Sequence, residues 1–220
     1  MKTAKALIFD FNGTLFWDTD YNREAWNAIA LKYRGKAFTD EEMFLLNGRT
    51  NPQTVIYLLG DSTSASVVNS IAEEKEALYI QICLSHAPLC LAPGAIELFE
   101  QAKTRNIPMA IATSACKENM DWYKKWFNLE HYFRENLIIT DDNKRKGKPA
   151  PDIYLDTLKA LNLPSDDCIV FEDTKSGILS ASRAGITAIY AVASNGADTT
   201  TTKAMEHVHG LIFDFNQFNL

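Results

Sequence analysis

Cysteine pairs are missing from this 220-residue chain: its four cysteines, at 83, 90, 116 and 168, include no Cys-x-x-Cys. Scattered through apolar contexts, they speak against a disulfide framework and suit reduced thiols. Cys83, His86 and Cys90 lie close in sequence, but their spacing matches no common structural zinc site and no fourth ligand is near. A basic excess is missing too, since the net charge is −6. Nucleic-acid binders carry a basic face, so no nucleic-acid partner is expected, and an anionic ligand would need a local positive pocket. Long apolar runs are also scarce. The N-terminus reads Met-Lys-Thr-Ala-Lys and then a short apolar run ending at Asp10, so neither a signal peptide nor a membrane span is expected, and a cytoplasmic location is. Finally, no Gly-x-Gly-x-x-Gly turn follows the first apolar stretch, which leaves a dinucleotide site without support.

What is present is ample apolar material, 46% hydrophobic against 23% charged. That supports one substantial core, or a core with a smaller insert. Ala6 to Phe9 are four apolar residues in a row, the pattern of a strand covered on both faces. An acid, Asp10, ends this strand, and Asn12-Gly13-Thr14 then forces a turn. In an open α/β sheet, ligands bind beyond the carboxyl ends of the strands, which is where Asp10 falls. The hexapeptide Leu-Ile-Phe-Asp-Phe-Asn at 7–12 recurs at 211–216. The second copy lacks the Gly-Thr turn and a following helix, so it is expected to be a late strand of the same sheet or a docked terminal segment. His207 and His209 are expected to share one face of an exposed edge strand.

Residues 19–34 place Trp26, Ile29, Ala30 and Tyr33 at helical spacing, with Gly35 as a stop. Helices are also expected from Thr39 to Asn47-Gly48, from Asn51-Pro52 to Leu58, and from Ser64 to about Leu84. Residues 17–86 therefore read as an inserted helical domain. Pro88 to Gly94, with two prolines and a glycine, form the return linker. From there helices at 94–105, 116–127, 151–161 and 176–184 alternate with strands at 108–112, 137–140, 168–172 and 186–192. Such alternation means βαβ crossovers and a parallel sheet. The expected fold is α/β: a Rossmann-like doubly wound core of residues 1–16 and 87–220 with a helical cap domain at 17–86.

Four segments converge at the carboxyl ends of these strands: Asp10, Thr113-Ser114, Lys148-Pro149 and Glu172-Asp173. Singly, each has a plain explanation as a helix cap or a solvated loop charge. Together they offer a carboxylate nucleophile, a hydroxyl, a cation and a second acid.

In these motifs the chain resembles the haloacid dehalogenase superfamily, and within it the β-phosphoglucomutase-like phosphatases with a helical cap. Asp10-Phe11-Asn12-Gly13-Thr14 resembles the first motif, usually Asp-x-Asp-Gly-Thr; Thr113 matches the second, Lys148 in Gly-Lys-Pro-Ala-Pro-Asp the third, and Phe171-Glu172-Asp173-Thr174 with Gly177 the fourth. The resemblance implies an aspartyl-phosphate formed on Asp10. It implies Mg²⁺ held by Asp10, Asp173 and the Asn12 main-chain carbonyl, with Glu172 orienting from behind. Lys148 and Thr113 would stabilise the transferring oxygens, with backbone N–H groups at the following helix start. Ser114, Lys117, Asn22, Gly48 and Arg49 join Thr113 and Lys148 as expected substrate-binding residues, and Lys148-Pro149 is expected to be cis.

The implied partner is a small phosphorylated metabolite, and the chain is expected to act as a monomer or dimer. Where the family has a second aspartate that protonates the leaving oxygen and later activates water, this chain has Asn12, and an amide does neither. Asn22 and Asn47 stand where the mutases place a histidine and a lysine. A phosphosugar mutase, a phosphonate hydrolase using Lys32, Lys36 or Lys75, and a non-catalytic phosphometabolite binder therefore stay open beside a phosphatase.

Overall fold

The computed structural model describes residues 4–46, 49–142, 144–194 and 199–220. Its chain divides into two units, Met1–Trp17 with Cys90–Leu220, and Asp18–Leu89. The first unit is built on a parallel sheet of β1 (Ala6–Phe9), β2 (Met109–Cys116), β3 (Ile138–Asp141), β4 (Cys168–Glu172), β5 (Ala188–Val192) and β6 (Val208–Ile212). The strand order is β3-β2-β1-β4-β5-β6. The chain thus winds outward from β1 to one side, then returns to β4 and winds to the other. This reversal puts the topological switch point between β1 and β4, the place where doubly wound sheets open a crevice for ligands.

The strands form because their apolar residues are covered on both faces, with helices as crossovers. Along β1 the side chains alternate. Ala6 and Ile8 join Ala110, Ala112, Val170, Ile189 and Ala191 in one cluster. It packs on Ile153, Tyr154 and Leu158 of α7 (Asp152–Leu161) and on Ile178 and Ala181 of α8 (Lys175–Arg183). Phe9 points to the opposite face, stacked on Phe171 at 5.0 Å and edge-on to Phe99 at 5.5 Å. Phe99 belongs to α5 (Ala95–Thr104). Each such buried ring contributes about 1.5–3 kcal/mol.

Three elements differ from the sequence expectation. β2 runs on to Cys116 instead of ending at 112, because Cys116 finds a pairing partner in Asp141 of β3 across an irregularity in register. Helix α6 (Lys117–Phe127) follows directly, within one residue of the start expected at 116. The repeated hexapeptide at 211–216 is only partly strand: β6 ends at Ile212, and Asp214 then accepts the Asn216 N–H at 2.9 Å to start a 3-10 turn. His207 lies before β6 with φ of 67°, so it does not share a strand face with His209.

The second unit consists of α1 (Thr19–Arg34), α2 (Asp40–Leu46), α3 (Asn51–Leu59) and α4 (Ala65–Ser85). Trp26, Ile29, Phe38, Leu46, Val55, Leu58, Val68 and Ile71 form its core. Gly35 terminates α1 in the left-handed region at φ 75°, its N–H returning to the Leu31 carbonyl. Thr50 and Gln53 close a capping box on α3, and Ser64 caps α4. Among the described residues, no helix is long and apolar enough to cross a membrane. α9 (Thr199–Lys203) precedes β6 in the first unit.

Candidate active site

At the end of β1 the backbone turns sharply. The Asp10 N–H still donates across to the Phe171 carbonyl of β4 at 3.0 Å. The Phe11 carbonyl then gathers the N–H groups of Thr14, Leu15 and Phe16. Gly13 sits at φ 80°, where a side chain would be strained, and a Cβ there would also overlap the Asp173 carboxylate. The turn therefore needs glycine for its backbone and for the acid it faces. Thr14 Oγ1 donates to Asp173 Oδ1 at 3.0 Å, tying the loop after β1 to the loop after β4.

Lys148 enters from the loop after β3, its peptide bond to Pro149 cis as expected. Its Nζ donates to Asp10 Oδ1 at 2.6 Å, Glu172 Oε1 at 2.5 Å and the Ala112 carbonyl at 3.2 Å, so its three protons have three acceptors. The Tyr154 hydroxyl on α7 donates to Glu172 Oε1 at 3.1 Å. The other carboxylate oxygen, Glu172 Oε2, accepts from the N–H and Oγ1 of Thr174, both at 3.1 Å. Thr174 also caps α8 through the Gly177 N–H. A Cβ at Gly177 would fall inside the Glu172 carboxylate, so this glycine lets the helix approach the acid.

Carboxylate oxygens of Asp10, Glu172 and Asp173 lie within 4.8 Å of one another, and all three residues are buried. Lys148 pairs with Asp10 and Glu172, which leaves three grouped acids beside one ammonium. Burial pushes Asp10 up to about 7, with Lys148 opposing and Glu172 adding to the rise. Asp173 is raised well above the usual carboxylate range by burial, then by the charges of Glu172 and Asp10. Burial would lower Lys148, but the charges of Asp10 and Glu172 outweigh it and hold the ammonium above its ordinary range. Burial and the Glu172 charge likewise raise the Tyr154 phenol. A site of oxygen ligands with excess negative charge is the donor set of a hard divalent cation.

Of the residues singled out from sequence, Asp10, Lys148, Glu172 and Asp173 are brought into direct contact or close grouping. Thr113 is buried, its Oγ1 accepting the Ala115 N–H at 3.1 Å. Asn12 is half-buried, and its Nδ2 donates to the Tyr123 hydroxyl of α6 at 2.9 Å. The Tyr123 ring stacks on Phe11 with centroids 4.6 Å apart. Ser114 is half-buried in the tail of β2. Lys117 is 69% exposed and turned to Asp121 at 2.6 Å, away from the acid cluster's own pairings.

Asn22 and Arg49 belong to the helical unit, and Gly48, with Asn47, lies outside the described residues. Asn22 Oδ1 is buried without a hydrogen-bond partner among the described residues. Sequence reading placed Thr14 in the turn without its bond to Asp173, and missed Tyr123 and Tyr154. Each tyrosine is a polar-tipped residue on an otherwise apolar face, and nothing local marks such a residue as more than core.

The haloacid dehalogenase-like hydrolase family model matches residues 7–191, a span that includes Asp10, Lys148, Glu172 and Asp173. The chain is 31% identical over 188 residues to Protein CbbY of Rhodobacter capsulatus, covering 83% of this chain and 82% of that protein. It is 30% identical over 192 residues to the phosphorylated carbohydrates phosphatase of Thermotoga maritima, covering 86% and 85%. Among solved structures, a HAD hydrolase of family IA, variant 3, from Entamoeba histolytica aligns with a TM-score of 0.88 at 40% identity, covering 98% of this chain and 95% of that one.

Proposed function

The chain belongs to the haloacid dehalogenase-like hydrolases, and on that footing we propose that it is a Mg²⁺-dependent phosphatase of a small phosphorylated metabolite, working through a phosphoryl group carried on Asp10. The observation that carries this reading is the charge imbalance at the switch point: Asp10, Glu172 and Asp173 are buried together with Lys148 as their paired cation. Such an arrangement is stable only if protons or a further cation offset it. The names of relatives support the reaction class, since one curated relative is a phosphatase of phosphorylated carbohydrates.

In this reading Asp10 is the nucleophile, attacking phosphorus from the end of β1. Lys148 keeps the Asp10 carboxylate oriented and presents a fixed positive charge beside the incoming phosphoryl oxygens. Glu172 is the positioning residue for that lysine, itself held by Tyr154 and Thr174. Thr113 and the neighbouring Ser114 bind phosphoryl oxygens. Bound Mg²⁺ supplies charge neutralisation and polarises those oxygens; the Asp10 and Asp173 carboxylates and the Asn12 main-chain carbonyl would hold it. The helical unit is the cap domain, with Asn22, Arg49 and Gly48 assigned to substrate recognition.

Isothermal calorimetry tests the metal assignment directly. Wild-type protein is expected to bind Mg²⁺, and Asp173→Ala to lose that binding with the fold retained. Unchanged affinity in Asp173→Ala would remove the carboxylate pair from the metal site.

A further inference from the structure

We propose that Asn12 confines this enzyme to phosphoryl donors whose leaving group departs as a stable anion, a class that includes acyl phosphates and excludes alkyl phosphates. The inference rests on the reading of Asp10 as nucleophile and extends it to the substrate class.

When Asp10 displaces a group from phosphorus, the departing oxygen takes the bonding electron pair. An alkoxide is about as basic as hydroxide, whose conjugate acid has a pKa of about 15.7, so it leaves only if a proton meets it. A carboxylate, with a conjugate acid near pKa 4, leaves unaided. The question is which group in the α/β unit could bring that proton. All three Lys148 protons are donated within the site, to Asp10, Glu172 and the Ala112 carbonyl. Glu172 is fully buried and accepts from Lys148, Tyr154 and both donors of Thr174. Asp173 accepts from Thr14 and belongs to the metal reading.

The remaining polar side chain on the turn beside the nucleophile is Asn12. Its amide carries no exchangeable acid proton at neutral pH, and its Nδ2 is directed to the buried Tyr123 hydroxyl. Stacking of Tyr123 on Phe11 fixes that partner in turn. The turn that positions Asp10 therefore also positions a group unable to transfer a proton. Such transfer contributes roughly a hundred- to ten-thousand-fold where it operates.

The chemistry then runs in two steps. An Asp10 carboxylate oxygen bonds to phosphorus while the bond from phosphorus to the leaving oxygen breaks, and a carboxylate departs with the electron pair and no proton. Water next attacks phosphorus, the bond to Asp10 breaks with its electron pair returning to the carboxylate, and the water proton passes to solvent. With no side-chain base at position 12 the second step is the slow one, so the phosphoryl-enzyme accumulates.

The test compares acetyl phosphate with glycerol 3-phosphate in the presence of Mg²⁺, on wild-type protein, Asn12→Asp and Asn12→Ala. Because Asn12-Gly13 is prone to deamidation, peptide mass spectrometry first verifies Asn12 in the wild-type sample. Acid-quenched mass spectrometry then locates covalent phosphate. The expected result is rapid labelling of Asp10 by acetyl phosphate with a burst of acetate, and glycerol 3-phosphate turnover roughly a hundred-fold or more slower than in Asn12→Asp. Asn12→Ala, which tests the position without adding charge beside Asp10, keeps the wild-type preference for the acyl donor.

Two results overturn the proposal: verified wild-type protein hydrolysing glycerol 3-phosphate as fast as Asn12→Asp, or Asn12→Asp accelerating the labelling of Asp10 by both donors equally. Failure of the nucleophile reading is distinguishable. In that case Asp10 is never labelled by either donor, and Asp10→Asn retains phosphatase activity.

Discussion

At residues 7–12 the segment Leu-Ile-Phe-Asp-Phe-Asn occupies the centre of the sheet, paired with β2 on one side and β4 on the other. At 211–216 the same six residues begin on the edge strand β6, which pairs with β5. In the first copy Leu7, Ile8 and Phe9 are wholly buried, and Phe9 stacks on Phe171 of the neighbouring strand. In the second, Phe213 is 58% exposed and the strand has already ended. The two aspartates diverge accordingly. Asp10 is buried against Lys148 and two further acids, whereas Asp214 satisfies the N–H of Asn216 two residues on. The same carboxylate in the same hexapeptide is a buried, lysine-paired acid in one place and a turn-former in the other, and its neighbours make the difference.

Substitution at the two aspartates should separate the copies most. Asp10→Asn is expected to lower Mg²⁺-dependent phosphatase activity by on the order of ten-thousand-fold or more, as loss of a nucleophile does. Asp214→Asn should leave activity at the wild-type level. Equal losses at both positions, measured as kcat/KM on one substrate, would erase the functional contrast.

The phenylalanines give the next contrast, in stability. Phe9→Ala removes a ring packed against Phe99, Phe133, Phe171 and Phe215, and should cost about 3–5 kcal/mol in urea unfolding. Phe213→Ala should stay within about 0.5 kcal/mol, the range of exposed positions.

A pH dependence belongs to the first copy. Burial raises Asp10 from 3.8 to about 7 and raises Asp173 in the same direction. In the metal-free protein the folded state then keeps protons that the unfolded chain has released, so the contribution of these two groups to stability is fullest below about pH 4 and declines as pH rises towards about 7. Thermal melts in EDTA should show this fall, and Asp10→Asn or saturating Mg²⁺ should flatten it. Melts that rise across that window would contradict the burial of uncompensated acids. A modest effect is expected at the second copy's turn. Asp214→Ala removes the acceptor for the Asn216 N–H and should cost about 1 kcal/mol, the scale of a lost cap.

The sheet was legible because its signals are local. Uninterrupted apolar runs at Ala6–Phe9 and Cys168–Phe171, separated by helical periodicity, can bury both faces only in a parallel sheet. Gly13-Thr14 after the first hexapeptide, and its absence after the second, also told the copies apart before any contact was known. The candidate acids, Lys148 and the cis peptide were legible through motif resemblance. The extent of β2 was not. Its tail is held by pairing with Asp141, which a reading of residues 113–116 alone does not contain. Tyr154 and Tyr123 were equally silent, since helical spacing assigns them to a core and says nothing of where the hydroxyl ends.

By itself, the sequence determined that a doubly wound sheet would carry acids at its strand ends, and that residue 12 would be an amide; these are properties of periodicity and of side-chain chemistry. Tertiary structure alone decided that Lys148, 138 residues from Asp10, would give all its protons to the site, and that Asn12 would be fixed by Tyr123, 111 residues away. Such pairings depend on strand order and register, which set distances between residues that no local pattern relates.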